Sequence, residues 1–419
     1  MSTAVQQFDI IISGSGMVGA SLAHALTGQG LRIALIDANP YNSRTSPSFD
    51  DRAIALSFGT VKILRALSLW DVLRPHAEAI KKIHVSEQGQ FGFARLNSEE
   101  ENVEALGYVV TATELGKVLL APLAGLHDVE QFCPAQLQSF EVSDDCVSVD
   151  LQMNNQALRL QAKLLVAADG GNSTVRQQLG IDVKVHDYGQ SAIVSNVETS
   201  SPHDNVAFER FTEQGPVALL PMTDKRSALV YTVENDQLED NLHCADEVFL
   251  ERLQQRFGFR LGQFVRIGQR NAYELLFKEV AEHVRPRIAL IGNAAHTVHP
   301  IAGQGFNLGI RDVAVLADVI LEAIAADRDI GSIDNLQAYA KWRKQDHRDV
   351  MFATDSMVRM FANKLPMIRK MRNLGILAID MLPGGRSWFS RQAMGLSGRL
   401  PRLARGLPLH KSQDHSHVG

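Results

Sequence analysis

The sequence predicts an α/β protein in which a parallel, Rossmann-like sheet is interrupted by an antiparallel one and followed by a helical C-terminal region. Three observations carry this expectation. Short runs rich in isoleucine and leucine, Phe8 to Ile12, Arg32 to Ile36, Leu164 to Ala168 and Ile288 to Ile291, have the length and unbroken apolarity of strands buried on both faces. Between Ser191 and Thr232 the pattern changes to alternating runs, Val217 to Met222 and Ser227 to Val233, bounded by the turn formers Glu213-Gln214-Gly215-Pro216 and Thr223-Asp224-Lys225. After the last apolar run, Phe306, Ile310, Val313, Ala317, Ile320 and Ile324 recur at steps of four and three, the stripe of a long helix.

Length and composition set the scale. With 419 residues, 45% hydrophobic and 21% charged, the chain can bury a large core and hold more than one unit, which excludes disorder, collagen and a small disulfide scaffold. A net charge of -5 argues against a protein held on nucleic acid by its global field. Cys133, Cys146 and Cys244 form no Cys-x-x-Cys pair, which suits a reducing compartment and no zinc site. Ile10 to Leu31 lacks Asp, Glu, Lys and Arg, but five glycines and Ser13, Ser15, Ser21, His24 and Gln29 make it a poor membrane span, and no basic residue precedes it as a signal peptide requires. Strand, turn and helix explain the same residues better.

The first turn is Gly14-Ser15-Gly16-Met17-Val18-Gly19, set between strand and helix, with Asp37 closing the next strand. Gly14 allows the tight turn, Gly16 lets a pyrophosphate approach the helix N-terminus, Gly19 lets helix and strand pack, and Asp37 is placed to accept from ribose hydroxyls. The second turn is Asp169-Gly170-Gly171-Asn172-Ser173, where either Asp169 or Ser173 can cap the helix that follows. The third, Gly292-Asn293-Ala294-Ala295-His296, continues through His299-Pro300 to Gly303-Gln304-Gly305-Phe306-Asn307 and feeds the long helix. His296 and His299 stand three apart with no third ligand at a suitable spacing, so no metal is expected.

In this order and at these separations, the three turns resemble those of the FAD-dependent aromatic hydroxylases of the p-hydroxybenzoate hydroxylase type, over most of the chain. The resemblance implies a Rossmann-like FAD-binding domain with an inserted substrate domain. It implies FAD contacts by Gly14, Gly16, Gly19, Asp37, Arg52, Asp169, Gly170, Asn293, Pro300, Gly305, Phe306 and Asn307. The arginine lies in Asp50-Asp51-Arg52-Ala53-Ile54-Ala55-Leu56, and its alternative is an ion pair with Asp50 or Asp51. The family turn usually begins Gly-Asp; Asn293 here keeps the hydrogen bond and drops the charge. Closer in, Phe49 to Leu56, Phe208-Glu209-Arg210-Phe211-Thr212 with Gly215-Pro216, and His299 to Gly309 are similar to the ubiquinone-biosynthesis hydroxylases, most of all the subgroup acting on 2-octaprenyl-6-methoxyphenol.

The resemblance implies NAD(P)H and O2 as co-substrates, a prenylated phenol as substrate, no essential side-chain nucleophile, and a catalytic base that the sequence does not identify. Two alternatives stay open: a hydroxylase of a small soluble aromatic acid, or of another ring position, and a non-catalytic flavin-binding assembly subunit. The organisation expected is FAD binding by residues 1–75, 106–182 and 285–340, a substrate unit from 76–105 and 183–284, a helical region at 341–410 and a disordered tail at 411–419. Phe211, Leu219 and Pro221 are the expected pocket wall on the inserted sheet. From Lys364 to Lys411 the basic residues Lys364, Arg369, Lys370, Arg372, Arg386, Arg391, Arg399, Arg402, Arg405 and Lys411 face one acid, Asp380, and are interleaved with apolar side chains that include Trp388, Phe389, Leu396 and Leu400. That pattern suits either docking on a membrane surface or on other ubiquinone-biosynthesis proteins, with a cytoplasmic location at the inner face of the membrane, or a helical cap on the fold. A homo-oligomer is compatible with the sequence; nucleic acid is not expected.

Overall fold

The computed structural model describes residues 5–39, 52–90, 93–297, 304–362 and 390–409. The strand Ile10–Ser13 is buried at every position, as an unbroken apolar run requires, since alternation would leave one face wet. It pairs in parallel with Ile33–Ile36 on one side and Leu164–Ala167 on the other. Val129–Phe132 extends the sheet beyond the first partner and Ile288–Leu290 beyond the second. The four apolar runs therefore come together in one sheet from opposite ends of the chain.

The helices Met17–Leu26 and Gln304–Ala325 cover one face of this sheet. Ile310, Val313, Ala317 and Ile320 are buried with Ile10, Ile12 and Leu22, and Phe306 packs against the same cluster. Each such side chain contributes about 1.5–3 kcal/mol relative to exposure. Ile324, expected on the stripe, is instead exposed, one residue from the helix end where the chain turns away from the core. The opposite face carries a sheet that the sequence reading does not anticipate. The meander Gln136–Val142, Val147–Met153, Gln156–Ala162, with Gln6–Gln7 added in parallel, places Val147, Val149, Leu151 and Leu160 against Ile11, Ala34 and Leu165.

The large antiparallel sheet is built on Val183–Thr199, Arg226–Glu234, Gly215–Pro221 and Val206–Thr212. Lys82–Glu87 joins its edge in parallel and Phe93–Asn97 follows, so the excursion near residue 80 and the later insertion share one sheet. One face packs on the helix Asp246–Phe257, with Leu219, Leu229, Tyr231 and Val233 against Phe249, Leu253 and Phe257. The other face meets the small sheet of Ala53–Ser57, Glu78–Ile80 and Gly107–Thr111, with Ala207, Met222 and Ala228 against Ile80 and Val109.

This register corrects the expected wall. Phe211 pairs with Pro216 and Phe208 with Leu219, so Phe211 and Leu219 lie on opposite faces. Leu219 is core beneath the helix Asp246–Phe257, and Pro221 shares its parity. The C-terminal residues 390–409 lie on the parallel unit. Leu403 and Ala404 enter its core, Leu400 packs against them, and Leu396 packs beside Leu96 and Leu106. Leu396 and Leu400, read above as apolar surface, are thus spent on the fold. Residues 363–389, including Trp388 and Phe389, and the tail from 410 lie outside the described residues. Among the described residues no helix is long and apolar enough to cross a membrane.

Candidate active site

The three turns meet. A Cβ built on Gly14 falls 2.5 Å from the Ala168 carbonyl oxygen, and one on Gly19 falls 1.9 Å from the Gly14 carbonyl oxygen and 3.3 Å from the Ala168 Cβ. Gly14 also holds φ near +103°, a conformation that favours glycine. Val18 packs onto Gly292 and Gly309, and Arg176 donates to the carbonyls of Ala294 (2.9 Å) and Gly171 (2.7 Å). These contacts knit residues 14–19, 168–176, 292–297 and 304–309 into one surface.

Three other glycines behave differently. A Cβ on Gly16, Gly170 or Gly305 meets nothing within 4 Å. Gly16 is the N-cap of Met17–Leu26 and no side chain caps that helix, so its first N–H groups face outward with a partial positive charge. Asp169 Oδ2 accepts from the Val175 N–H at 3.2 Å, while Oδ1 is buried with no partner; burial pushes this carboxyl up, against its hydrogen bonds. Ser173 is the N-cap of the helix that follows, accepting from the Arg176 N–H. Asn293 is exposed in the turn after Ile288–Leu290.

Other site residues stand where the motifs alone do not place them. Asp37 Oδ2 accepts from the Ser15 N–H (2.7 Å) and hydroxyl (2.8 Å), and Oδ1 from the Asn39 N–H (2.9 Å). The carboxylate thus orders the first turn itself and keeps room for about one further donor. Asn307 is buried, with Oδ1 accepting from the Ser57 N–H and the Thr60 hydroxyl and Nδ2 donating to the Ala55 carbonyl. Its amide ties the long helix to the strand Ala53–Ser57. Phe306 is half-buried against the core. Arg52 stacks its guanidinium 4.8 Å from the Tyr273 ring centroid. It lines a cleft of about 830 Å3 between the two units, together with Lys117, Val194, Asn196, Arg226 and Asn271. Pro300, Asp50 and Asp51 lie outside the described residues.

Sequence reasoning misses the charge cluster beneath the third turn. Asp312, fully buried, accepts at Oδ2 from the Gly292 N–H (2.8 Å) and His296 Nε2 (2.8 Å), and at Oδ1 from Arg343 Nε (2.6 Å) and His347 Nε2 (2.9 Å). Arg343 also pairs with Asp346, which takes Arg311 at 2.7 Å. His283 Nε2 reaches His347 Nδ1 at 3.0 Å. With Nε2 donating to Asp312, His347 is the neutral tautomer that accepts at Nδ1, and burial holds it well below the ordinary imidazole range. The Arg343 charge, together with the hydrogen bonds that His296 and His347 give this carboxylate, overcomes desolvation at Asp312 and keeps its carboxyl well below the ordinary range. The ligand atoms of His296, Asp312 and His347 lie within 4.8 Å of one another, but both Asp312 oxygens are already engaged and a cation would have to displace Arg343. The trio therefore reads as a hydrogen-bonded clamp that holds the third turn to the helix Ile333–Ala362.

Residues 7–352 match the FAD binding domain family. The chain belongs to that family. Ubiquinone hydroxylase UbiL of Rhodospirillum rubrum is 36% identical to this FAD-binding chain over 96% of it and 93% of the relative. The 3-demethoxyubiquinol 3-hydroxylase of Escherichia coli is 30% identical over 93% and 99%. The crystal structure of p-nitrophenol 4-monooxygenase PnpA from Pseudomonas putida superposes with a TM-score of 0.77 at 20% identity, over 94% of this chain and all of that one, a likeness of fold. The surface of the FAD-binding unit fits the cofactor. Open space over Gly16, Gly170 and Gly305 admits a ligand where any side chain would stand in the way, and the unpartnered Asp169 Oδ1 is an acceptor awaiting a donor.

Proposed function

We propose that this chain is an FAD-dependent aromatic-ring hydroxylase that uses NAD(P)H and O2 to hydroxylate a prenylated phenol of ubiquinone biosynthesis. The observation that carries the cofactor assignment is the meeting of three glycine turns from distant segments around open space, with the uncapped helix at Met17 aimed into it. The substrate class rests on the named relatives, which are ubiquinone-pathway hydroxylases.

In this reading Gly16 and the free N–H groups of Met17–Leu26 hold the pyrophosphate, and Asp37 orders the turn and takes one ribose hydroxyl. Asp169 Oδ1, Gly170, Asn293 and the Gly305 backbone hold the rest of FAD, beside Pro300. Arg52 and Phe306 flank it, and Asn307 acts through the strand that it anchors. Bound FAD supplies the oxygen-activating chemistry once NAD(P)H has reduced it. The protein orients the ring and excludes water, tasks suited to the apolar face of the inserted sheet that bears Ala207, Phe211 and Ala218. The domain organisation expected from the sequence belongs to the same proposal.

The test is direct. Purified protein is expected to carry FAD and to oxidise NAD(P)H faster when a short-chain prenylated methoxyphenol is added, giving a product one oxygen atom heavier by mass spectrometry. Hydroxylation of a soluble aromatic acid instead would favour that alternative, and bound FAD with no turnover would favour the assembly subunit.

A water-insoluble substrate must be collected from a lipid phase, since each methylene adds about 0.8 kcal/mol to its preference for one. We propose that the basic residues Lys364, Arg369, Lys370 and Arg372 bring the protein to an anionic membrane surface. Residues 390–409 act as the cap: Trp342 donates to the Arg399 carbonyl, and the Arg402 N–H donates to Asp318. Truncation before Lys364 would therefore damage the fold, and charge reversal of those four residues is the cleaner variant. It is expected to abolish co-sedimentation with phosphatidylglycerol vesicles at low salt while FAD content is kept; unchanged sedimentation overturns the docking idea.

A further inference from the structure

The sequence leaves the proton acceptor for the phenol unidentified. Among the described residues one side chain meets the requirement. Glu209 sits in the middle of Val206–Thr212, and its cross-strand neighbours are Val85 and Ala218, with Val230 opposite Ala218 on the next strand. Register places it on the face shared by Ala207 and Phe211, turned towards the FAD-binding unit and away from the helix Asp246–Phe257. The side chain is only 9% exposed, and among the described residues its carboxyl has no hydrogen bond and no ion pair. The row in which it stands runs on through Val194 to Asn271, and both of these line the cleft that also takes Arg52.

A lone carboxyl in an apolar wall has no structural task. Ionised, it is costly there, and a purely structural position would carry a hydrophobe or a paired acid. The ionisable groups that register puts on the same face are Glu87, opposite Phe211, Tyr273, opposite Ala192 and beneath Arg52, Glu234, opposite Gln190, and, at the far rim, Glu198 opposite Arg226 and Arg266; the small sheet packed against this face contributes Ala53, Ile80 and Val109. We propose that Glu209 is the proton acceptor for the phenolic O–H of the substrate. Its carboxylate takes the hydroxyl proton, leaving a phenolate whose ring carbons are more electron-rich, and the protonated carboxyl later returns the proton to solvent through the cleft. Burial alone pushes this carboxyl up to about 7, so near neutrality it exchanges protons where an ordinary glutamate stays ionised.

The inference rests on the hydroxylase reading, and the experiment separates the two. Wild type, Glu209→Gln and Glu209→Asp are compared for FAD content, for the phenolate absorbance of a short-chain prenylated methoxyphenol bound to the oxidised protein, and for product formation against pH. Glutamine keeps the shape and cannot take a proton. Glu209→Gln is expected to retain FAD, to bind the phenol without its phenolate band, and to form product about 100-fold more slowly. The wild-type loss of rate below pH about 7 should be absent from its profile. Glu209→Asp should restore part of the phenolate band. A glutamine variant with wild-type phenolate absorbance and the same pH profile overturns the assignment of Glu209 alone. A wild type that binds FAD and hydroxylates no prenylated phenol overturns the hydroxylase reading, and the assignment with it.

Discussion

Asp312→Asn is expected to lower stability by roughly 3–5 kcal/mol, the cost of breaking a buried ion pair by removing one partner. Four donors from two distant segments converge on this carboxylate, namely the Gly292 N–H and His296 from the turn, and Arg343 and His347 from the helix. An amide can accept at one oxygen only, and its NH2 group would face Arg343 or His296, donor against donor. Arg343, fully buried, would keep Asp346 as its sole acid, shared with Arg311. Thermal unfolding followed by circular dichroism tests this, and the loss should exceed that of any single surface ion pair, such as Lys163 with Asp9, which is worth about 1 kcal/mol or less.

The same cluster sets how stability depends on pH. Asp312 has a depressed pKa, so its contribution is present above the unfolded carboxylate value near 4 and is lost only as pH falls below it. His347 is held low and His283 at about 4, both mainly by burial. The unfolded chain takes protons at these histidines from about pH 6.5 downwards while the folded chain does not, so stability declines across that window. Glu209 acts in the opposite sense: its raised pKa means that acidification from about 7 towards the unfolded value recovers stability. At pH 7 the clamp is therefore intact, and the Asp312→Asn loss should be read there.

What the sequence made legible follows from how local each signal is. The strands Ile10–Ser13 and Leu164–Ala167 and the turns after them are written in consecutive residues, so both the parallel sheet and the glycine turns could be read. The meander at 136–162 was missed because one of its faces is wet and its strands carry polar side chains at most positions, as in Gln136–Val142. The wall residues failed for a different reason. Phe211 and Leu219 look alike in sequence, and only the turn at Glu213-Gln214 sets the register that sends them to opposite faces. Asp312 and Glu209 carried no motif. Asp312 sits one step off an apolar helical stripe, where a solvated acid is the ordinary expectation, and its partners come from turn and helix far apart in the chain. Glu209, at an alternate position among apolar residues, gave the one signal that could have found it, since alternate positions share a face.

Gly16 and Gly19 provide the sharpest separation of fold from cofactor binding, because they lie three residues apart in the same turn and face opposite constraints. A Cβ at Gly19 would lie 1.9 Å from the Gly14 carbonyl oxygen, which is backbone and cannot swing aside. Gly19→Ala must push Met17–Leu26 away from Ile10–Ser13, opening a core in which Ile10, Ile12 and Leu22 are fully buried. It is expected to give little soluble protein, with a lowered melting temperature even before FAD is considered. A Cβ at Gly16 meets no protein atom within 4 Å, and φ there is -60°, open to any residue. Gly16→Val should therefore fold with the far-ultraviolet circular dichroism of the wild type. Its side chain projects into the space before the helix N-terminus, where a pyrophosphate must come within hydrogen-bond reach of the first N–H groups. The expected result is a colourless protein, with flavin absorbance at 450 nm reduced about tenfold or more, as loss of at least 1.4 kcal/mol of binding implies. A Gly16→Val protein that remains fully yellow would place the pyrophosphate elsewhere, and a Gly19→Ala protein as stable as wild type would show that the helix can shift at no cost.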